Sequence, residues 1–212
     1  MIKVEDGVLK LTGLPLEAFE RKWVYFKFQG CDFRVRVFIF GDPTKPTLVQ
    51  HHGLIAWALT HWTLFKGLAP HFRNVVFNTL SYGGNTIPEK LEREYETEED
   101  VINLILNWFD GAYKALDPLL PKKFYLMSHC GGAYYSSLWA LKNPNRVAKL
   151  FLSDPGGVVN PPKSFDPFKD RMNDEGIRPA PKHLIEQFYP YGNQFQPKDY
   201  NPFKLAADIP KD

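Results

Sequence analysis

The stretch Phe124-Tyr125-Leu126-Met127-Ser128-His129-Cys130-Gly131-Gly132 decides how the rest of the chain is read. Phe124–Met127 is a short apolar run, which reads as a buried strand. A helix follows from Gly131 to about Leu141. Ser128–Gly132 must then turn the chain sharply from strand to helix. Such a turn tolerates only small residues two before and two after its apex, and here they are Ser128 and Gly132. The apex is Cys130. It sits at a helix N-terminus, where free N–H groups and the helix dipole favour a thiolate.

Working outward, strands and helices alternate. Val147–Ser153 is the next strand. Upstream, Thr47–Gln50 is a strand ending at His51-His52-Gly53, and 58–72 reads as a helix with Pro70 near its end. Asn74–Leu80 is a further strand, closing into Ser81-Tyr82-Gly83-Gly84-Asn85. Over 97–116, Val101, Ile102, Ile105, Leu106, Phe109 and Tyr113 recur at helical spacing. This alternation predicts a mostly parallel sheet with helices on both faces. Near the N-terminus the pattern differs. The runs 22–28 and 32–41 flank Gln29-Gly30-Cys31, and Phe33, Val35, Val37 and Ile39 share one face while Arg34 and Arg36 share the other. That is an antiparallel hairpin. After Asp154 prolines crowd the chain and strand signals fade, with one helix expected at about 181–189. The expected organisation is a core over 1–159 with six strands, then a Pro-rich, lid-like segment over 160–212.

Composition narrows the function classes. With 212 residues, 44% of them hydrophobic, the chain has material for one packed core. Its 26 basic and 24 acidic residues are scattered, which argues against nucleic acid or an anionic membrane surface as a partner. Two cysteines without paired spacing support neither a disulfide framework nor a cysteine zinc site. The start, MIKVEDGVLKL, lacks the pattern of a secretory signal, and no apolar stretch approaches the ~20 residues that span a bilayer. The chain reads as a soluble intracellular protein of undetermined compartment, needing no cofactor and no metal. A dinucleotide-binding fold is disfavoured, because no Gly-x-Gly-x-x-Gly follows the first parallel strand.

Three landmarks thus stand in order: His51-His52-Gly53, the segment Asn78–Gly84, and the turn at Cys130. Together they resemble the α/β-hydrolase superfamily over residues 47–160. The stretch WALKNPNRVAKLFLSDPGG, from Trp139 to Gly157, is similar to the lysophospholipase-like and N-acylphospholipid-hydrolase branch, which also contains catalytically silent lipase co-activators. Tyr200-Asn201-Pro202-Phe203 is faintly similar to the start of that branch's lid. The resemblance implies that Cys130 holds the nucleophile position and that the N–H groups of Leu54 and Gly131 form the oxyanion hole. It implies acyl transfer to water, on an ester, thioester or amide of a small apolar, lipid-like acyl compound.

The departures are as informative. Ser128 stands where the family has Gly, Cys130 where it has Ser, and Asn78 where it has Asp. By this reading the 212 residues stop short of strands seven and eight, which carry the family's usual acid and histidine. Asp154, at the end of strand six, is a weak candidate acid with no histidine to orient. His51, His52 and His129 lie near the turn on elements that do not ordinarily aim a base at the nucleophile. His61 and His71 fall in the first helix region, and His183 in the lid-like segment. Each also has an unreactive reading: His52 as a ring that braces loop backbone, His51 and His129 as hydrogen-bonded or solvated groups, Cys31 as a turn residue. Two functions remain: an acyl hydrolase whose base lies outside this sequence, or an inactive hydrolase-like subunit that binds a protein partner over an open sheet edge.

Overall fold

The computed structural model describes residues 2–53, 56–79 and 98–155, all within the unit Met1–Val158. Six strands form one sheet: β1 (Glu20–Phe28), β2 (Cys31–Gly41), β3 (Thr47–His51), β4 (Arg73–Phe77), β5 (Phe124–His129) and β6 (Val147–Ser153). Their spatial order is β1-β2-β4-β3-β5-β6. β1, β2 and β4 pair antiparallel, whereas β4, β3, β5 and β6 run parallel. The sequence expectation of a hairpin followed by a mostly parallel sheet holds. Its turn is tighter than the three residues expected: Phe28 pairs with Cys31, so the link is Gln29-Gly30 alone. Both link residues have positive φ (47° and 77°), as a two-residue hairpin turn requires. Cys31 is therefore the first strand residue, not a turn residue.

Helices cover both faces: α1 (Ile2–Leu11), α2 (Trp62–Leu68), α3 (Glu98–Leu116) and α4 (Cys130–Lys142). On one face Phe33, Val35, Val37 and Ile39 of β2 meet Trp108, Phe109 and Tyr113 of α3 and Trp139 of α4. Tyr113 stacks on Trp139 with ring centroids 4.0 Å apart. On the other face Phe38 and Phe40 pack with Leu9 of α1 and Phe65 of α2. Strand β2 is thus buried on both sides over its second half.

Two elements differ from the sequence reading. The helix expected over 58–72 is only seven residues, because Ala58–His61 forms turns instead. The Ala58 N–H donates to the buried Asn78 side chain at 2.7 Å, and Trp57 N–H donates to the Thr60 hydroxyl. These bonds hold Trp57–Thr60 as a turn ahead of the helix. The second difference is α1, which the sequence reading left without structure. Glu5, 1% exposed, accepts two hydrogen bonds from Arg36, 3.0 and 2.6 Å long, and Asp6 pairs with Arg21 at 2.6 Å. This helix covers Arg36 and Arg21 of the hairpin, while Arg34 stays exposed. Leu54, residues 80–97, the expected helix at 181–189 and the lid-like 160–212 lie outside the described residues.

Candidate active site

Strand β5 ends at His129 and α4 begins at Cys130, one residue earlier than the sequence reading placed the helix. Cys130 has φ 50°, a left-handed conformation that an L-residue adopts at a cost. The turn is held shut by close packing. A side chain on Gly132 would begin against the carbonyl oxygen of His52, and one on Gly53 would meet the Cβ of Cys130 at 2.9 Å. The loop after β3 is thereby pressed onto the apex residue, which is itself half-buried. The first N–H groups of α4, with Gly131 among them, have no partner within the helix, and no side chain caps it. The other expected oxyanion donor, Leu54, lies outside the described residues.

The histidines nearby are committed to structure in two different ways. His52 accepts a hydrogen bond from the Thr79 N–H at Nε2 (3.0 Å), so its Nδ1–H donates to the Gly53 carbonyl (2.8 Å). That is the loop-bracing role read from the sequence. Burial holds its pKa down at about 4, with the nearby His61 pushing the same way and the Gly53 carbonyl opposing. His51 is buried deeper. Its Nδ1 meets the Ser136 hydroxyl, its Nε2 meets the Tyr113 hydroxyl at 2.7 Å, and its ring stacks on Phe109. Burial lowers its pKa to about 3, and His52 adds a smaller push. Both imidazoles are neutral at physiological pH.

His129, just before the apex, faces outward. Its ring meets that of His61 edge-on, centroids 5.1 Å apart. Burial, then the neighbouring His129, lowers the His61 pKa to about 4. Asp154 Oδ2 lies 3.8 Å from His129 Nδ1, too far for a direct hydrogen bond. Both groups approach the Ser153 hydroxyl, at 3.3 and 3.4 Å. The sequence reading left Asp154 without an imidazole, and the structure places one beside it. The carboxylate is nonetheless open to solvent, its side chain 86% exposed. Among the described residues no group of three or more metal-ligating side chains comes together.

The sequence reading missed Ser136 and Tyr113. Ser136 is a polar residue inside an otherwise apolar helix face, and Tyr113 read as core. Only the fold brings them to His51.

The family model of the α/β hydrolase fold matches residues 46–174. Among curated proteins, a probable 1-acylglycerol-3-phosphate O-acyltransferase of Oryza sativa subsp. japonica is 32% identical over 117 residues, 55% of this chain and 27% of that protein. The Abhydrolase domain-containing protein lid-1 of Caenorhabditis elegans is 30% identical over 83 residues, 39% of this chain and 21% of that one. The chain spans about a quarter of the length of the curated relatives it matches. Among solved structures, a bacterial membrane phospholipase A superposes with a TM-score of 0.61 at 16% identity, covering 80% of this chain and 48% of that one. A likeness at that identity speaks for the fold alone. With the family model covering more than half its length and the strand order in place, the chain belongs to the α/β-hydrolase fold family.

Proposed function

We propose that this chain carries the nucleophile-bearing part of an acyl hydrolase acting on lipid-like ester, thioester or amide substrates. The observation that carries this reading is Cys130 itself: a non-glycine residue held at φ 50° between a strand end and a helix start, with Gly53 packed against it and Gly132 packed against the His52 backbone. A fold that maintains such strain at one cysteine over-determines its position, as nucleophile sites do. In the reaction, the Cys130 sulfur attacks the acyl carbonyl, and the oxygen becomes an oxyanion facing the N–H groups of Gly131 and Leu54. Collapse releases the alcohol, thiol or amine, which takes up a proton, and leaves an acyl thioester on Cys130. Water then adds, the carboxylic acid departs and the thiol is restored. A histidine supplied from outside this sequence would take and return the proton. The lipid-like substrate class is supported by relatives named for acylglycerol phosphate.

The test compares labelling of the native protein and Cys130→Ala by an acyl-type electrophilic probe. Labelling at Cys130 faster than that of a free thiol, with Cys31 left alone, is the expected result. A rate equal to that of an unfolded thiol would remove the hydrolase reading.

A second reading, an inactive subunit covering its sheet edge with a partner protein, is favoured by β6. Among the described residues this strand pairs with β5 alone, and Leu150, Phe151 and Leu152 are 37–45% exposed. Failed labelling together with a stable hetero-complex in natural material would favour it.

A further inference from the structure

The core behind the elbow contains four polar side chains in a row. Ser128, two residues before Cys130, donates to the Ser136 hydroxyl at 2.7 Å. Ser136 in turn meets His51 Nδ1, and His51 Nε2 meets the Tyr113 hydroxyl at 2.7 Å. None of the four is more than 2% exposed. An apolar core of the same shape would avoid the desolvation of these groups, so their presence calls for a reason. We propose that Tyr113, His51, Ser136 and Ser128 form a positioning relay that sets the direction in which the Cys130 elbow presents its sulfur and its N–H groups.

Ser128 donates to Ser136, and the neutral His51 ring joins Ser136 at Nδ1 to Tyr113 at Nε2, one ring nitrogen donating and the other accepting. Stacking on Phe109, centroids 4.7 Å apart and planes 14° apart, fixes the plane of the ring. Tyr113 is fixed by its own stack on Trp139. The relay therefore has a rigid far end. Its near end joins the three segments around Cys130: Ser128 on the strand entering the elbow, Ser136 on the helix leaving it, and His51 just before the His52-Gly53 backbone that abuts it. Apolar packing leaves a helix some freedom to roll, whereas directional hydrogen bonds fix its rotation against the strand. The first turn of α4 carries both the sulfur and the Gly131 N–H, so that rotation is what the relay sets. Its catalytic meaning rests on the reading of Cys130 as nucleophile.

The experiment measures iodoacetamide alkylation of Cys130 and Cys31 in the folded full chain, by peptide mass spectrometry, beside the thermal midpoint. In Ser136→Ala and Tyr113→Phe the ratio of the Cys130 rate to the Cys31 rate should change by about fivefold or more, and Ser136→Thr should bring it back. An unchanged ratio in a folded Ser136→Ala or Tyr113→Phe protein overturns the relay, even if the midpoint falls, because the bonds would then only stabilise. Should Ser136→Ala fail to fold, Tyr113→Phe decides alone, since it removes one oxygen and keeps the stacked ring. The absolute rate in the unaltered protein tests the nucleophile reading separately. A slow Cys130 would end that reading, while the ratio among variants would still judge the relay.

Discussion

Gly132 and His52 meet so closely that the carbonyl oxygen of His52 occupies the space where a Cβ on Gly132 would stand. The contact is backbone against backbone, so neither partner yields by changing a rotamer. Gly132→Ala should therefore destabilise the fold by about 3 kcal/mol or more, in the range of severe overpacking. The control is Gly7→Ala, on an open face of α1 where an added Cβ meets nothing within 4 Å. That change should stabilise by about 0.5–1 kcal/mol. Urea unfolding of both variants checks the pair.

The strain at Cys130 predicts an ordering among substitutions that have nothing to do with chemistry. Cys130→Ala keeps a Cβ at φ 50°, whereas Cys130→Gly removes it. The glycine variant should be the more stable of the two by about 1 kcal/mol. Equal thermal midpoints, or a less stable glycine variant, would mean that the left-handed turn carries no strain.

Glu5 and Arg36, 31 positions apart, hold α1 on the hairpin through a buried bidentate pair. Replacing Glu5 takes from the buried Arg36 guanidinium both hydrogen bonds of its bidentate carboxylate. Glu5→Ala should cost about 3–5 kcal/mol, and the double change to Glu5→Leu with Arg36→Met should recover most of it. Denaturant midpoints of the single and double variants give the answer. A loss under about 0.5 kcal/mol for Glu5→Ala would make α1 a passive cover.

Acid should unfold the protein from just below neutrality. His51 and His52 have folded-state pKa values of about 3 and about 4, against 6.5 for a free histidine. Below pH 6.5 the unfolded chain takes up protons that the folded one refuses, so stability falls as pH drops. The loss is complete once pH passes the two folded-state values. Each histidine contributes a slope of roughly 1.4 kcal/mol per pH unit inside its window. Urea midpoints measured between pH 7 and pH 5 should decline steadily; a flat profile there would contradict the buried, neutral state of both rings.

Much of this fold was legible in local sequence. The period-two run Phe33, Val35, Val37, Ile39 gave β2 its buried face, and the helical spacing through Phe109 and Tyr113 marked α3. Around Cys130, the small residues Ser128 and Gly132 marked the turn, because a steric limit on side-chain size at fixed offsets is written in the residues themselves. What the spacing could not carry were partnerships between distant segments. Helix α1 has a glycine at its middle, and what holds it in place, Arg36 and the cluster around Leu9, lies largely on other elements. The turn ahead of α2 is anchored by Asn78, a strand-end side chain that accepts the Ala58 N–H and lies on a distant segment. The fates of the histidines were decided in the same way. His51 and His52 are adjacent in sequence, yet one faces a core of Ser136, Tyr113 and Phe109 and the other braces a loop. His51 ends strand β3 and His52 opens the loop after it, and what surrounds each is set by the tertiary fold alone.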